Sequence, residues 1–460
     1  MESWPLGCQK TMFDFHFEWH DAPGVRSATL ARTWARFQIV AAGNGHCRRV
    51  ISRNENDSAQ AMQEGVYGSL FPLAEWLVDN WWFLAHEPSP VEHLESGRGL
   101  ARQPRHRPWV RRHCLLTAAE GGALPDLCIF RDAQCIALHW AADPVDLDRA
   151  QHPVRFTTEG RLYVGVGEVQ SACDRLIRAV LERLGDCEEP DALSLRDDWE
   201  QLRCTRTMDA QRAAAAAVLG IDWLDPEEAP DSLLAELDEA LLKFEPALCT
   251  DFLEGTTADR LQDEVAWLKS AVNQIESSNG SHRGAQFPIL TMPKLPLAHT
   301  FGYSAARTLR EQLQLASTSA EDVLRGLGLG ETFELLTPTE NEATRLWLVG
   351  RGAHGAPHIV APCRGTWPES IRFRWAQAVY FLVTSANDSH KRLISRAHTW
   401  DQRAARAFAA ELLAPADALR QQVPPTVDAE QIHELAGRFG VSEWVIGLQI
   451  RNHHLADVAV

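Results

Sequence analysis

The chain has 460 residues, 45% of them apolar and 23% charged, the composition of a globular protein with room for two or three domains. A formal charge of −17 argues against generic binding to nucleic acid or anionic lipid, and no run of 18 apolar residues offers a membrane span. Ten cysteines are scattered without a CxxC pair and no basic-then-apolar signal opens the chain, which points to reduced, mostly buried thiols in a cytoplasm rather than a disulfide framework, a zinc ribbon or export.

Residues 12–19 alternate Phe13, Phe15, Phe17 and Trp19 with polar residues, predicting a half-buried strand whose other face carries His16, Glu18 and His20. Two histidines at that spacing can hold a metal, but more often they are the wet side of a sheet. Strands follow at Trp34 to Val40 and Cys47 to Ser52 around a Gly43-Asn44-Gly45 turn. From Leu70 the period becomes helical, with Leu70, Leu73, Leu77 and Trp81 on one face.

One basic run comes next. Between Arg98 and His113, Arg102, Arg105, Arg107, Arg111 and Arg112 are interrupted by Pro104 and Pro108, so the expectation is a loop, not a continuous helix. Arginines beside Trp109 suit phosphate or carboxylate contacts, which makes these five the candidate residues for a polyanion or a protein partner. A solvated loop, or one that docks on this chain's own carboxylates, is the plainer reading.

Strands are expected at Leu127 to Phe130, Cys135 to Trp140, Val154 to Thr157 and Leu162 to Val166, then a helix from Val169 to Leu184. The first 185 residues thus read as one α+β domain. Between Asp186 and Glu264 there are 22 Asp and Glu against 6 Lys and Arg, over helical patterns at 208–219, 230–243, 246–254 and 257–274. This predicts an acidic, all-helical middle over 186–275 and a linker at 276–299, rich in Ser, Gly and Pro.

In the remainder, 300–460, helices at Ala305 to Leu315 and Ser319 to Leu324 precede strands at Phe333 to Leu336, Arg345 to Val349 and Pro357 to Val360. Thr366 with Glu369 forms a capping box that starts a helix at Trp367, with Ile371, Trp375, Ala378 and Leu382 as its apolar stripe. Residues 400–413 form a second helix ended by Pro415. Two more cover Asp428 to Phe439 and Ser442 to His453, and Ala436, Gly440 and Ile446 sit at helix-turn-helix offsets.

Arg372-Phe373 and Phe408-Ala-Ala-Glu-Leu-Leu-Ala-Pro415 resemble the core of the ImmA/IrrE family of zincin-type metallopeptidases, a resemblance that covers about 300–452. More loosely, Leu73 to Trp82, Arg112-His113 and Leu219 to Trp223 resemble the N-terminal extension of its longer members. In the family an HExxH helix and a Glu from a second helix hold zinc, and the HExxH Glu activates water. Alignment on these motifs puts Gln377 and Phe381 at the two His positions, Ala378 at the base and Ala404 at the third ligand. Ala and Phe offer no lone pair, and an amide is a poor zinc ligand. The resemblance therefore implies an α+β chain ending in a zincin-like domain without catalytic residues, metal or cofactor. Its expected role is that of a protein-binding regulatory or scaffold component in bacterial stress, mobile-element or phage-defence systems. One alternative is a working zinc endopeptidase that cleaves a repressor with relocated ligands from His390, His398 and Asp401, although 384–400 reads as a solvated loop. Another is a nucleic-acid-binding regulator that uses the Arg98–Arg112 segment.

Overall fold

The computed structural model describes residues 11–22, 24–43, 47–56, 61–91, 94, 96–119, 122–146, 153–277, 287–293, 295, 297–315, 319–327, 335–336, 345–352, 357–361, 368–384 and 391–458. The class is mixed α+β. Contacts divide the chain between Leu234 and Ala235, into units Gly7–Leu234 and Ala235–Val460.

The first unit runs β1 (Met12–Trp19), α1 (Ala28–Arg32), β2 (Trp34–Ala42), β3 (Arg49–Val50), β4 (Asn54–Asn56), β5 (Ala61–Gln63), β6 (Val66–Ser69), α2 (Phe71–Asp79), α3 (Trp81–His86), α4 (Gly97–Ala101), α5 (Arg107–His113), β7 (Asp126–Asp132), β8 (Cys135–Ala141), β9 (Val154–Phe156), β10 (Gly160–Val164), α6 (Val166–Leu184), α7 (Pro190–Arg203) and α8 (Thr207–Val218). Three antiparallel sheets result: β1-β2-β3 with β6 also on β2, β10-β8-β7, and β5-β4-β9. The alternation in β1 buries Phe13 and Phe15 and leaves His16 in water, as period two dictates. Against this sheet packs α6, whose Val169, Ala172, Cys173, Leu176, Ile177 and Val180 form one buried stripe. Residues 190–203, unassigned in the sequence reading, form α7, which adds Leu195 and Trp199 to the same core.

α9 (Asp231–Lys243) crosses the division, and the second unit continues with α10 (Pro246–Leu253), α11 (Leu261–Ser277), α12 (Ala298–Gln312), α13 (Ala320–Gly326), β11 (Leu335–Leu336), β12 (Trp347–Arg351), β13 (Pro357–Val360), α14 (Pro368–Thr384), β14 (Arg392–Ile394), α15 (Trp400–Leu413), α16 (Ala416–Arg420), β15 (Thr426–Val427), α17 (Ala429–Phe439), α18 (Glu443–Asn452) and β16 (Asp457–Val458). Its main sheet is ordered β11-β13-β12-β14. The acidic stretch expected as one segment is divided: α7 and α8 lie in the first unit, while α10 packs on β14 and α11 on β12 and β13 in the second. Within the expected linker, Phe287 and Leu290 are buried, and the Leu290 N–H donates to the Val383 carbonyl at 2.7 Å.

Three helices build the core of this unit. α14 is buried all round from Ala376 to Val383, more than its stripe predicted; Thr366 and Trp367 lie outside the described residues. α15 starts where the Thr399 hydroxyl accepts from the Gln402 N–H, and α12 crosses it so closely that Gly302 touches the α15 backbone. α17 opens on a full capping box between Asp428 and Gln431 and ends at Gly440, whose φ of 69° is the left-handed cap that glycine accepts without strain. Among the described residues, no helix is long and apolar enough to cross a membrane.

Candidate functional site

The four positions singled out by the resemblance lie inside the second unit. Gln377, Ala378 and Phe381 on α14 and Ala404 on α15 are all buried. Beside them stands an aromatic cluster. Tyr380 packs edge-on to Phe381 at 5.1 Å and Phe408 at 5.6 Å, and Phe301 lies 5.3 Å from Trp400. Burial drives the Tyr380 hydroxyl far above its usual range.

Against Phe381 lies a cation supplied by the protein. The Arg392 guanidinium is 4.9 Å from the Phe381 ring centre. Its Nη1 donates to Asp401 Oδ2 at 2.9 Å, and its Nε and Nη2 donate to Asp251 Oδ2 at 3.2 and 2.9 Å. The Thr399 hydroxyl donates to the other Asp251 oxygen at 2.8 Å. Burial pushes the Asp251 carboxyl up, against the pull of Arg392 and Thr399. Burial also works against the Arg392 charge, but Asp251 and Asp401 outweigh it and raise its pKa. The arrangement fixes one positive charge between two carboxylates in a closed, aromatic surrounding. It offers no imidazole and no base at the four positions.

Over residues 391–400, this corrects the reading of 384–400 as a solvated loop; 385–390 lie outside the described residues. Residues 392–394 are the edge strand β14, paired to β12, with Leu393, Ile394 and Ala397 buried. The polar composition misled because the partners of Arg392 come from α10 and α15, and that of Lys391 is Glu276, 2.8 Å away. Of the relocated ligands, Asp401 is engaged by Arg392, the His398 backbone N–H donates to Glu254 at 3.1 Å, and His390 lies outside the described residues.

A residue that the sequence reading passed over organises the neighbouring corner. Glu411, within the Phe408 to Pro415 motif, is 1% exposed. It accepts from Arg307 Nε at 2.7 Å, Gln449 Nε2 at 2.9 Å and the Ala416 backbone N–H at 3.3 Å, and His453 Nε2 lies 3.6 Å away. One carboxylate thereby joins α12, α16 and α18 to α15. Its position on the buried side of α15, directly before a helix-stopping proline, was the available signal. Glu411 also takes Gln449 out of reach of a DNA groove, since Gln449 is buried on Glu411 and Ala414; Glu443, Trp444, Arg451 and Asn452 remain outward, Asn452 donating to the Tyr303 hydroxyl at 3.1 Å.

In the first unit, the basic run is not the expected loop. It folds into α4, a turn of 3-10 helix over Pro104–His106, and α5, because Pro104 and Pro108 occupy first-turn positions where a missing N–H is harmless. Arg112 is held inside: its Nε and Nη2 donate to Glu87 at 2.7 and 2.6 Å, beside His113 Nε2 at 2.9 Å. Burial pushes the Glu87 carboxyl up, but His113 and Arg112 prevail and hold it below its ordinary range. Arg102, Arg105, Arg107 and Arg111 are exposed, and none has a carboxylate partner among the described residues. On β1, His16 lies 3.6 Å from Asp14 Oδ2, while His20 packs on Tyr67 at 5.3 Å, so the two histidines serve different neighbours.

No protein-family model matches the chain, and no curated protein matches it.

Proposed function

We propose that the chain is a catalytically inactive relative of the ImmA/IrrE metallopeptidases, acting as a cytoplasmic regulatory or scaffold component that binds a protein partner in bacterial stress, mobile-element or phage-defence responses. The supporting observation is the filling of the would-be metal pocket. The positions for two His, a base and a third ligand hold Gln377, Phe381, Ala378 and Ala404, all buried, and a guanidinium paired to Asp251 and Asp401 rests on the Phe381 ring. An arginine so paired cannot lower the pKa of a water or take up its proton, the two tasks a zinc peptidase divides between metal and Glu.

The test is affinity isolation of the full chain from its native host, followed by incubation with the co-purified partner with and without a chelator. The partner is expected to remain full-length in both conditions. Chelator-sensitive cleavage of it would favour the peptidase reading and end this one.

A second reading rests on the four exposed arginines from the end of α4 through α5. They form a cationic surface segment of an acidic chain, and they suit phosphates. If they bind nucleic acid, changing all four to Ala lowers the slope of log affinity against log salt by about 3 to 4. An unchanged slope removes this reading.

A further inference from the structure

We infer that Cys114, Asp126 and Cys128 form a zinc site in the unit Gly7–Leu234. The backbone brings them together. Asp126 and Cys128 are two apart on β7 and so share a face; His139 on β8 stands in register opposite Cys128; and Cys114, just after α5, pairs with Cys128 from the other side in an antiparallel bridge. Cys114 and Cys128 thus stand side by side with Asp126 next to them, while His139, on the far side of Cys128, lies outside the group. Residues opposite one another in such a ladder have Cβ atoms roughly 5 Å apart, within reach of one ion.

The donor atoms are spaced for tetrahedral coordination. Both Sγ atoms and an Asp126 carboxylate oxygen lie within 4.8 Å of one another. Bonds of about 2.3 Å to sulfur and 2.1 Å to oxygen give a tetrahedral sulfur–oxygen edge of about 3.6 Å, and Cys114 Sγ to Asp126 Oδ1 is 3.4 Å. Gly97 closes one side. A Cβ there would meet Asp126 Oδ1 at 2.7 Å, Cys114 Sγ at 2.7 Å and Cys128 Sγ at 2.9 Å, so any other residue would push into the space among the three donors.

The electrostatics lead the same way. Cys114, Asp126 and Cys128 are fully buried. Asp126 accepts only from neutral donors: the Ser96 hydroxyl at 2.6 Å, the Gly97 and Arg98 N–H groups at 3.1 and 3.3 Å, and Cys114. The Arg98 side chain turns instead to Asp143 at 2.5 Å. A carboxylate withdrawn from water without a cation is costly, and buried charges are as a rule paired or bound to metal. The Ser96, Gly97 and Arg98 donors then act as the outer layer that orients a metal-bound carboxylate. Binding replaces the two thiol protons: Zn²⁺ enters, two S–H bonds break, two Zn–S bonds form, and two protons leave to solvent. Three protein ligands leave a fourth position for water or another donor, and the ion would tie the segment after α5 to β7. This zinc is separate from the peptidase-like pocket, and either reading can fail without the other.

The test uses the full chain, purified reduced, stripped with chelator and titrated with Zn(II) against a chromophoric competitor, with Co(II) as the spectroscopic probe. One metal per chain is expected, with a thiolate-to-Co(II) charge-transfer band and protection of two thiols from alkylation. Cys128→Ser and Asp126→Asn each lower affinity at least tenfold; should a variant fail to fold, the charge-transfer band and thiol protection of the parent chain still decide. Three results each overturn the site: no zinc above the stripped baseline; zinc retained at parental affinity in both Cys128→Ser and Asp126→Asn; or a Cys114–Cys128 disulfide that forms in place of metal binding.

Discussion

Gly302→Ala is the sharpest probe of how the pocket region is sealed. A methyl group there would overlap the Ala404 carbonyl oxygen and lie 2.8 Å from the Phe408 nitrogen and 2.9 Å from the Ala407 Cβ. The first two obstacles are α15 backbone, which no rotamer change can move, so the overpacking penalty falls at the upper end of its usual range, about 3 kcal/mol. Alanine's better helix propensity returns about 1 kcal/mol, for a net loss of about 2 kcal/mol. Gly447 of α18 is the control. A Cβ there meets nothing within 4 Å, so Gly447→Ala is expected to stabilise by about 1 kcal/mol. For a unit of this size the melting temperature should fall by roughly 4–8 °C in the first variant and rise by roughly 2–4 °C in the second. Hydrogen exchange of α12 and α15 peptides across a urea series reads both changes within the unit that carries them. If Gly302→Ala is neutral or stabilising, so that the two substitutions share a sign, the close crossing of α12 and α15 is wrong.

Three further outcomes follow from buried charge. Glu411→Ala leaves Arg307, Gln449 and the Ala416 N–H without their shared acceptor and should destabilise by about 3–5 kcal/mol in urea; a loss below about 1 kcal/mol would contradict its role. Arg392→Met strands Asp251, whose carboxyl burial already pushes up, so the destabilisation should be large at neutral pH and shrink as pH falls and Asp251 takes a proton; a pH-independent deficit would exclude this coupling. His86 is lowered to about 4 by burial and by Arg131. The unfolded chain therefore binds its proton first, and as pH falls from about 6.5 to about 4 the first unit should lose up to about 3 kcal/mol. His86→Gln should flatten that part of the urea-midpoint profile, and an unchanged profile would show that His86 is not the group responsible.

The sequence made legible whatever local chemistry decides. The alternation in β1 and the helices expected at Val169 to Leu184, 400–413 and Asp428 to Phe439 stand where the period of the residues put them. Long-range pairing stayed hidden. β14 carries Lys391 and Arg392 into a sheet edge only because Glu276, Asp251 and Asp401 arrive from three other helices. Arg112 looked like its exposed neighbours until Glu87, 25 positions earlier, came within 2.6 Å. The two prolines were read as helix breakers, although at first-turn positions they are helix starters. The zinc proposal shows the same limit. A search for CxxC spacing misses Cys114 and Cys128, which a strand bridge brings side by side, whereas Asp126-x-Cys128 on one strand face was visible in principle.

The many-partnered carboxylate of Glu411 has a consequence for how such chains are compared. All its partners are internal, so substitutions around Phe408 to Pro415 are filtered by whether the polypeptide folds, regardless of any reaction nearby. The identity of this stretch is thus set by folding, and it says nothing about chemistry nearby.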